Sequence, residues 1–147
     1  MADLEPVEAD SRFPSGNWLG FFLDQRVPGK HSMELLLTFR AGSITGEGRD
    51  RVGPFLVNGT YDLGSGACQF RKAYSKAHAL QYAGYNEGKG IWGTWDLEGL
   101  KGGFHIWPEE MGDPTRQVLR EEAPLEFEEP LERIDEPELV PIGGGTA

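Results

Sequence analysis

The stretch whose reading decides the fold is Phe70 to Asp96, FRKAYSKAHALQYAGYNEGKGIWGTWD. Three short runs alternate through it: Phe70, Lys72 and Tyr74, continuing Cys68; then His78, Leu80 and Tyr82; then Ile91, Gly93, Trp95 and Leu97. Period two with aromatic enrichment is the signature of β-strands, and the two breaks between the runs have the length of hairpin turns. The neighbouring segments read the same way. Asn17 to Gln25 places Trp18, Gly20 and Phe22 on one face and Leu19, Phe21 and Leu23 on the other. A strand apolar on both sides calls for an outer cover, a second subunit or the C-terminal tail.

HSMELLLTFR groups Met33, Leu35, Leu37 and Phe39 on one face, with Leu36 the apolar exception on the other. A helix competes there, and the flanking turn residues favour a strand. Ile44 to Gly48 opens a third strand that frays through Gly46 and Gly48 into Asp50, Pro54 to Asp62 makes a fourth, and Lys101 to Trp107 an eighth. Eight strands on short loops leave no room for crossover helices, so an antiparallel meander is expected. Eight is also a natural count for an all-β, up-and-down barrel whose interior is packed or holds one small ligand. The expected organisation is a flexible acidic lead-in over residues 1–14, a barrel domain over 15–108 and an acidic, Pro-rich, partly disordered tail over 109–147.

At 147 residues one domain is expected. The net charge of −10 belongs to the ends: residues 12–108 hold eight acids and eleven bases, whereas residues 109–147 hold twelve acids and three bases. No Lys/Arg cluster gives a nucleic-acid footprint. The longest apolar run, around Met33 to Phe39, is broken by Glu34 and Thr38 and falls short of the roughly 18 residues that span a bilayer. One cysteine, Cys68, forms no internal disulfide, and MADLEPVEAD has neither the basic nor the apolar region of a signal peptide. A soluble, cytoplasmic protein without membrane association is expected.

The barrel segment resembles the calycins, and among them the avidin-like family. Gly16-Asn17-Trp18 matches the G-x-W pattern that those barrels carry on the first strand at the closed end, and Tyr74-Ser75-Lys76-Ala77-His78, Tyr82-Ala83-Gly84-Tyr85 and Trp92-Gly93-Thr94-Trp95 look like the strand 5 to strand 7 region of avidin-like proteins. The resemblance implies the barrel fold. It does not imply biotin binding, because Leu19, Gly20 and Phe21 stand where that family has a polar ureido ligand, Gln25-Arg26-Val27 lacks its Ser or Thr, Glu98-Gly99-Leu100 replaces the Trp-bearing loop, and the last strand lacks the ligand-facing aspartate.

Candidate site residues follow from the inward faces. Trp18, Phe22, Tyr61, Phe70, Tyr82 and Trp95 would form an aromatic wall around a small apolar or aromatic ligand, or simply fill the barrel. His78 and His105 have no third ligand at zinc spacing, and Gly46 to Asp50 lacks the ligand pattern of a calcium loop. Asp24, Asp62 and Asp96 read as turn residues, and no nucleophile or phosphate-loop motif is present. The expectation is a non-catalytic binding barrel with no metal and no cofactor. The alternative is a filled barrel that serves as a protein–protein interaction or structural module through its outer apolar surface and acidic tail, with a homo-oligomer through the outer face of the first strand. Apolar residues between 123 and 134 suggest that the tail docks on that face.

Overall fold

The computed structural model describes residues 6–75 and 78–116. Eight strands follow one another: β1 (Gly16–Asp24), β2 (Val27–Arg40), β3 (Ser43–Asp50), β4 (Gly53–Tyr61), β5 (Ala67–Tyr74), β6 (Ala79–Asn86), β7 (Ile91–Leu97) and β8 (Leu100–Pro108). Each runs antiparallel to the next, and β8 returns to pair with β1 from Trp18↔Pro108 to Phe22↔Phe104. The sheet is a closed up-and-down barrel, as the alternating pattern predicts. A 3-10 turn, Glu109–Met111, follows β8. Residues to Asp113 form one compact unit, and those from Pro114 belong to a second, described only to Arg116. The expected tail docking by residues 123–134 lies outside the described residues.

Tight turns follow from local chemistry. At Ala41-Gly42 and at Glu98-Gly99 both residues have positive φ, the backbone that two-residue hairpins need to match strand twist. The three acids read as turn residues have that role: Asp24 accepts the Arg26 amide, Asp62 the amide and hydroxyl of Ser65, and Asp96 the Gly99 amide. The Leu-rich run Met33–Phe39 lies within β2, its odd-numbered residues buried and Leu36 exposed. Packing of one face on the core outweighs the helical propensity of a short segment.

Two expectations are corrected. β3 does not fray: it pairs with β2 to Met33↔Asp50 and with β4 to Asp50↔Gly53, and it carries the Asp50 side chain into the interior. Gly48 lies beside Phe55, and a Cβ there would meet the Glu34 carbonyl and the Phe55 ring. Glycine keeps the strand close to its neighbours. The lead-in is not a free arm from Glu8 onward. The Glu8 amide donates to the Phe39 carbonyl, Asp10 grips Arg12, and Phe13 is fully buried against Phe39 and Tyr61 with ring centroids 5.5 and 4.8 Å away. Asn86 Nδ2 donates to the Arg12 carbonyl at 2.6 Å. Phe13 thereby plugs one end of the barrel, and the turns after β1, β3 and β7 frame the other end, the mouth.

Candidate functional site: the mouth and its buried ion pair

Between plug and mouth the interior is packed. Phe70 stacks on Tyr82 at 5.0 Å, and Phe104 meets both rings edge-on. Above this layer β5 turns Lys72 inward, in phase with Cys68, Phe70 and Tyr74. Its ammonium sits 2.5 Å from Asp50 Oδ2, donates to the Tyr82 hydroxyl at 3.1 Å and lies 3.6 Å from the Met33 sulfur. It also faces the Phe22 and Phe55 rings at 4.6 Å and those of Tyr74 and Tyr82 at 5.2 Å. Asp50 in turn accepts the Tyr74 hydroxyl at 2.7 Å and, through Oδ1, the Val52 amide. The two charged side chains are 1% and 0% exposed.

Such burial would be prohibitive for a lone charge and is tolerable for a paired, hydrogen-bonded one. Burial pushes the Lys72 pKa down, while the hydrogen bond and charge of Asp50 push it back up. The phenols of Tyr74 and Tyr82 are pushed up first by burial, and then by the hydrogen bond to Asp50 for Tyr74 and by the Asp50 charge for Tyr82. Both therefore stay protonated and act as hydroxyl donors or acceptors at neutral pH.

The cleft at the mouth has a volume of ≈ 90 Å³. Phe22, Trp95, Leu80 and Leu97 form its apolar walls, and Tyr74 and Tyr82 separate it from the ion pair. Trp95 is fixed by donating its indole N–H to the Leu23 carbonyl at 2.9 Å, and it meets Phe22 edge-on. Asp24, Arg26, Arg51 and His78 make the rim. Hydrogen bonds from the Arg26 side chain, at 3.0 and 2.8 Å, hold the Asp24 carboxyl at about 2 despite its burial. The rim thus mixes both signs of charge around an apolar throat. Its chemistry suits a small, largely apolar group with one polar end.

No family model, curated protein or solved structure matches this chain. Its functional reading therefore rests on its own residues.

All six residues proposed as a ligand wall from sequence point inward and are buried, but they do not share one cavity. Phe22, Tyr82 and Trp95 line the cleft. Trp18 and Tyr61 lie at the plugged end, where the Trp18 indole donates to the Pro14 carbonyl and the Tyr61 hydroxyl to Glu8 at 2.6 Å. Phe70 lies beneath Tyr82. Sequence reasoning missed Lys72 and Asp50 as a pair, although both carry a signal: each is a charge in phase with the inward residues of its own strand. His78 is exposed at the rim, and the ring of His105, on the outer wall, hydrogen-bonds the Lys89 carbonyl. Among the described residues no three His, Cys, Asp or Glu side chains are grouped to hold a metal, and no helix is long and apolar enough to cross a membrane. Cys68 is buried, and burial pushes its thiol up to about 12, which leaves little thiolate near neutral pH.

Proposed function

We propose that this chain is a non-catalytic, calycin-type barrel, similar to the avidin-like proteins in architecture, that binds a small apolar or aromatic molecule at its mouth. The cleft between Phe22, Trp95, Leu80 and Leu97 carries this reading. The space is less than the about 150 Å³ of an apolar cavity that encloses benzene, so a single ring would enter part-way and leave its substituents at the rim. Tyr74 and Tyr82 would meet its inner edge, and Arg26, Arg51 and His78 would face a polar substituent. Larger ligands of the kind held deep in hollow barrels are not accommodated, because the layers below are filled from Phe70 to Phe13. The departures from the biotin site point the same way.

Titration of the full chain with benzyl alcohol and with benzoate, followed by NMR, tests the proposal. The expected result is saturable shifts at the Trp95 indole N–H and the Tyr82 amide, lost when Leu97→Trp fills the cleft. Absence of shifts up to about 10 mM, or equal binding by the Leu97→Trp variant, would overturn it.

A filled interior also favours the second reading, an interaction module that works through its outer wall. The side chains of Tyr85 and Trp92 support it: they are about half exposed, at 50% and 46%, and are cross-strand partners.

A further inference from the structure

Outward residues on β6, β7 and β8 form a ridge between two grooves. Trp92 is the ridge, flanked across the strands by Tyr85 and His105. On one side lies a groove of ≈ 510 Å³ whose walls include Thr60, Ala67, Gln69, Ala83 and Thr94; on the other lies one of ≈ 530 Å³ whose walls include Phe21, Leu23 and Gly103. Trp92 belongs to both. The small side chains of Ala83 and Thr94 set a low floor from which the two large rings stand out.

Charge decides what fits there. The net charge of −10 lies in the ends of the chain, and residues 12–108 hold eleven bases against eight acids, so the local charges of each wall decide where two copies repel. The opposite wall, around the exposed Leu36 and Leu56, is bordered by Glu34, Glu47 and Glu109, with Arg49 among them. Around Trp92 the groove walls are neutral, apart from Asp62 at one edge and the pair Glu87 and Lys89 of opposite sign in the turn before β7. A strongly basic or acidic partner finds no complement on this face. A copy of the same face meets little repulsion, and Glu87 of one chain can approach Lys89 of the other.

We propose that the Trp92 face is the interface with a second copy of this chain, a two-fold contact in which the Trp92 ring of each copy lies in a groove of the other. An isologous contact requires a patch that complements itself, and a projecting ring beside grooves of neutral lining meets that requirement. Aromatic rings at the centre of an interface, shielded from water by a polar border, carry most of the binding energy in known interfaces. This places the oligomer contact on β6–β8 with the adjoining Phe21 and Leu23 of β1, and not on the wall around Leu36 of β2.

Sedimentation equilibrium of the full chain from about 1 to about 100 µM, with circular dichroism as the check on folding, tests the proposal. The wild-type protein is expected to dimerise within that range. Trp92→Lys is expected to raise the dissociation constant at least about 30-fold, and Ala83→Arg, on the groove floor, to act in the same direction. Leu36→Lys, on the opposite wall, is expected to leave the dimer intact. A wild-type chain that stays monomeric throughout, or a dimer that survives both Trp92→Lys and Ala83→Arg, overturns the proposal. So does a dimer that Leu36→Lys dissociates, which would return the contact to the β1–β2 wall.

Discussion

Lys72 occupies a position where strand alternation puts a core side chain, and it satisfies that position with a charge. Its hydrocarbon stem packs among the rings, while its ammonium finds one carboxylate, one hydroxyl and four aromatic faces. Attraction within such a pair offsets the loss of hydration only while both partners are present. Removing one leaves the other buried without its counter-charge. Lys72→Met and Asp50→Asn are each expected to cost about 3–5 kcal/mol, whereas the double variant costs much less than the sum, because it leaves no buried charge without its partner. Urea denaturation of the four proteins in a cycle measures this; strict additivity would show that the two charges do not depend on one another. That Lys72 faces inward was legible from its phase with Phe70 and Tyr74. Its partner was not, because Asp50 lies on β3 and Lys72 on β5, with β4 between them, and only the curvature of the closed sheet brings the side chains together.

Among the elements, the lead-in gained most from being seen in three dimensions. Acids and prolines made residues 1–14 read as solvated chain, since composition weighs each residue without regard to what it meets. Three of those polar features are hydrogen-bonded to the barrel or to each other instead. Asp10 accepts the Arg12 amide and guanidinium, Glu8 accepts the Tyr61 hydroxyl, and the carbonyl of Pro14 accepts the Trp18 indole N–H. Together they aim Phe13 at the end of the barrel. By contrast most of the strands were legible from their own period-two record, whereas β1 is apolar on both faces and β3, with glycine at 46 and 48, was the least legible. Phe13→Ala is expected to destabilise the protein by about 3–5 kcal/mol, the range for truncating a fully buried Phe, with Val7→Ala, at a 48% exposed side chain, as the control near zero. Equilibrium unfolding in urea decides it: equal midpoints for the two variants would mean that the lead-in contributes no core.

For the whole molecule, strand count and short connections were enough to anticipate the closed meander, but not whether its interior was hollow or full. Filling depends on pairs such as Gly102 with Trp95, where a Cβ would strike the indole and the Leu23 carbonyl, and sequence does not say which glycine faces which ring. Closure has a kinetic consequence. Seven of the eight pairings join consecutive strands, while β1 and β8 come from opposite ends of the barrel sequence and share five residue pairs. Bringing distant segments together costs loop-closure entropy before any contact repays it. The β1–β8 seam is therefore expected to form after the rate-limiting step, and the β2–β5 meander before it. Ile106 on β8 and Val57 on β4 are both essentially unexposed, so trimming either removes core contacts, one carbon in Ile106→Val and two in Val57→Ala. Ile106→Val should cost about 0.5–1.5 kcal/mol and do so almost wholly by speeding unfolding, whereas Val57→Ala should slow folding. Stopped-flow chevrons of the two variants measure the division. A folding limb slowed by Ile106→Val in proportion to its full loss of stability would mean that the seam closes early and the barrel assembles around β1 and β8.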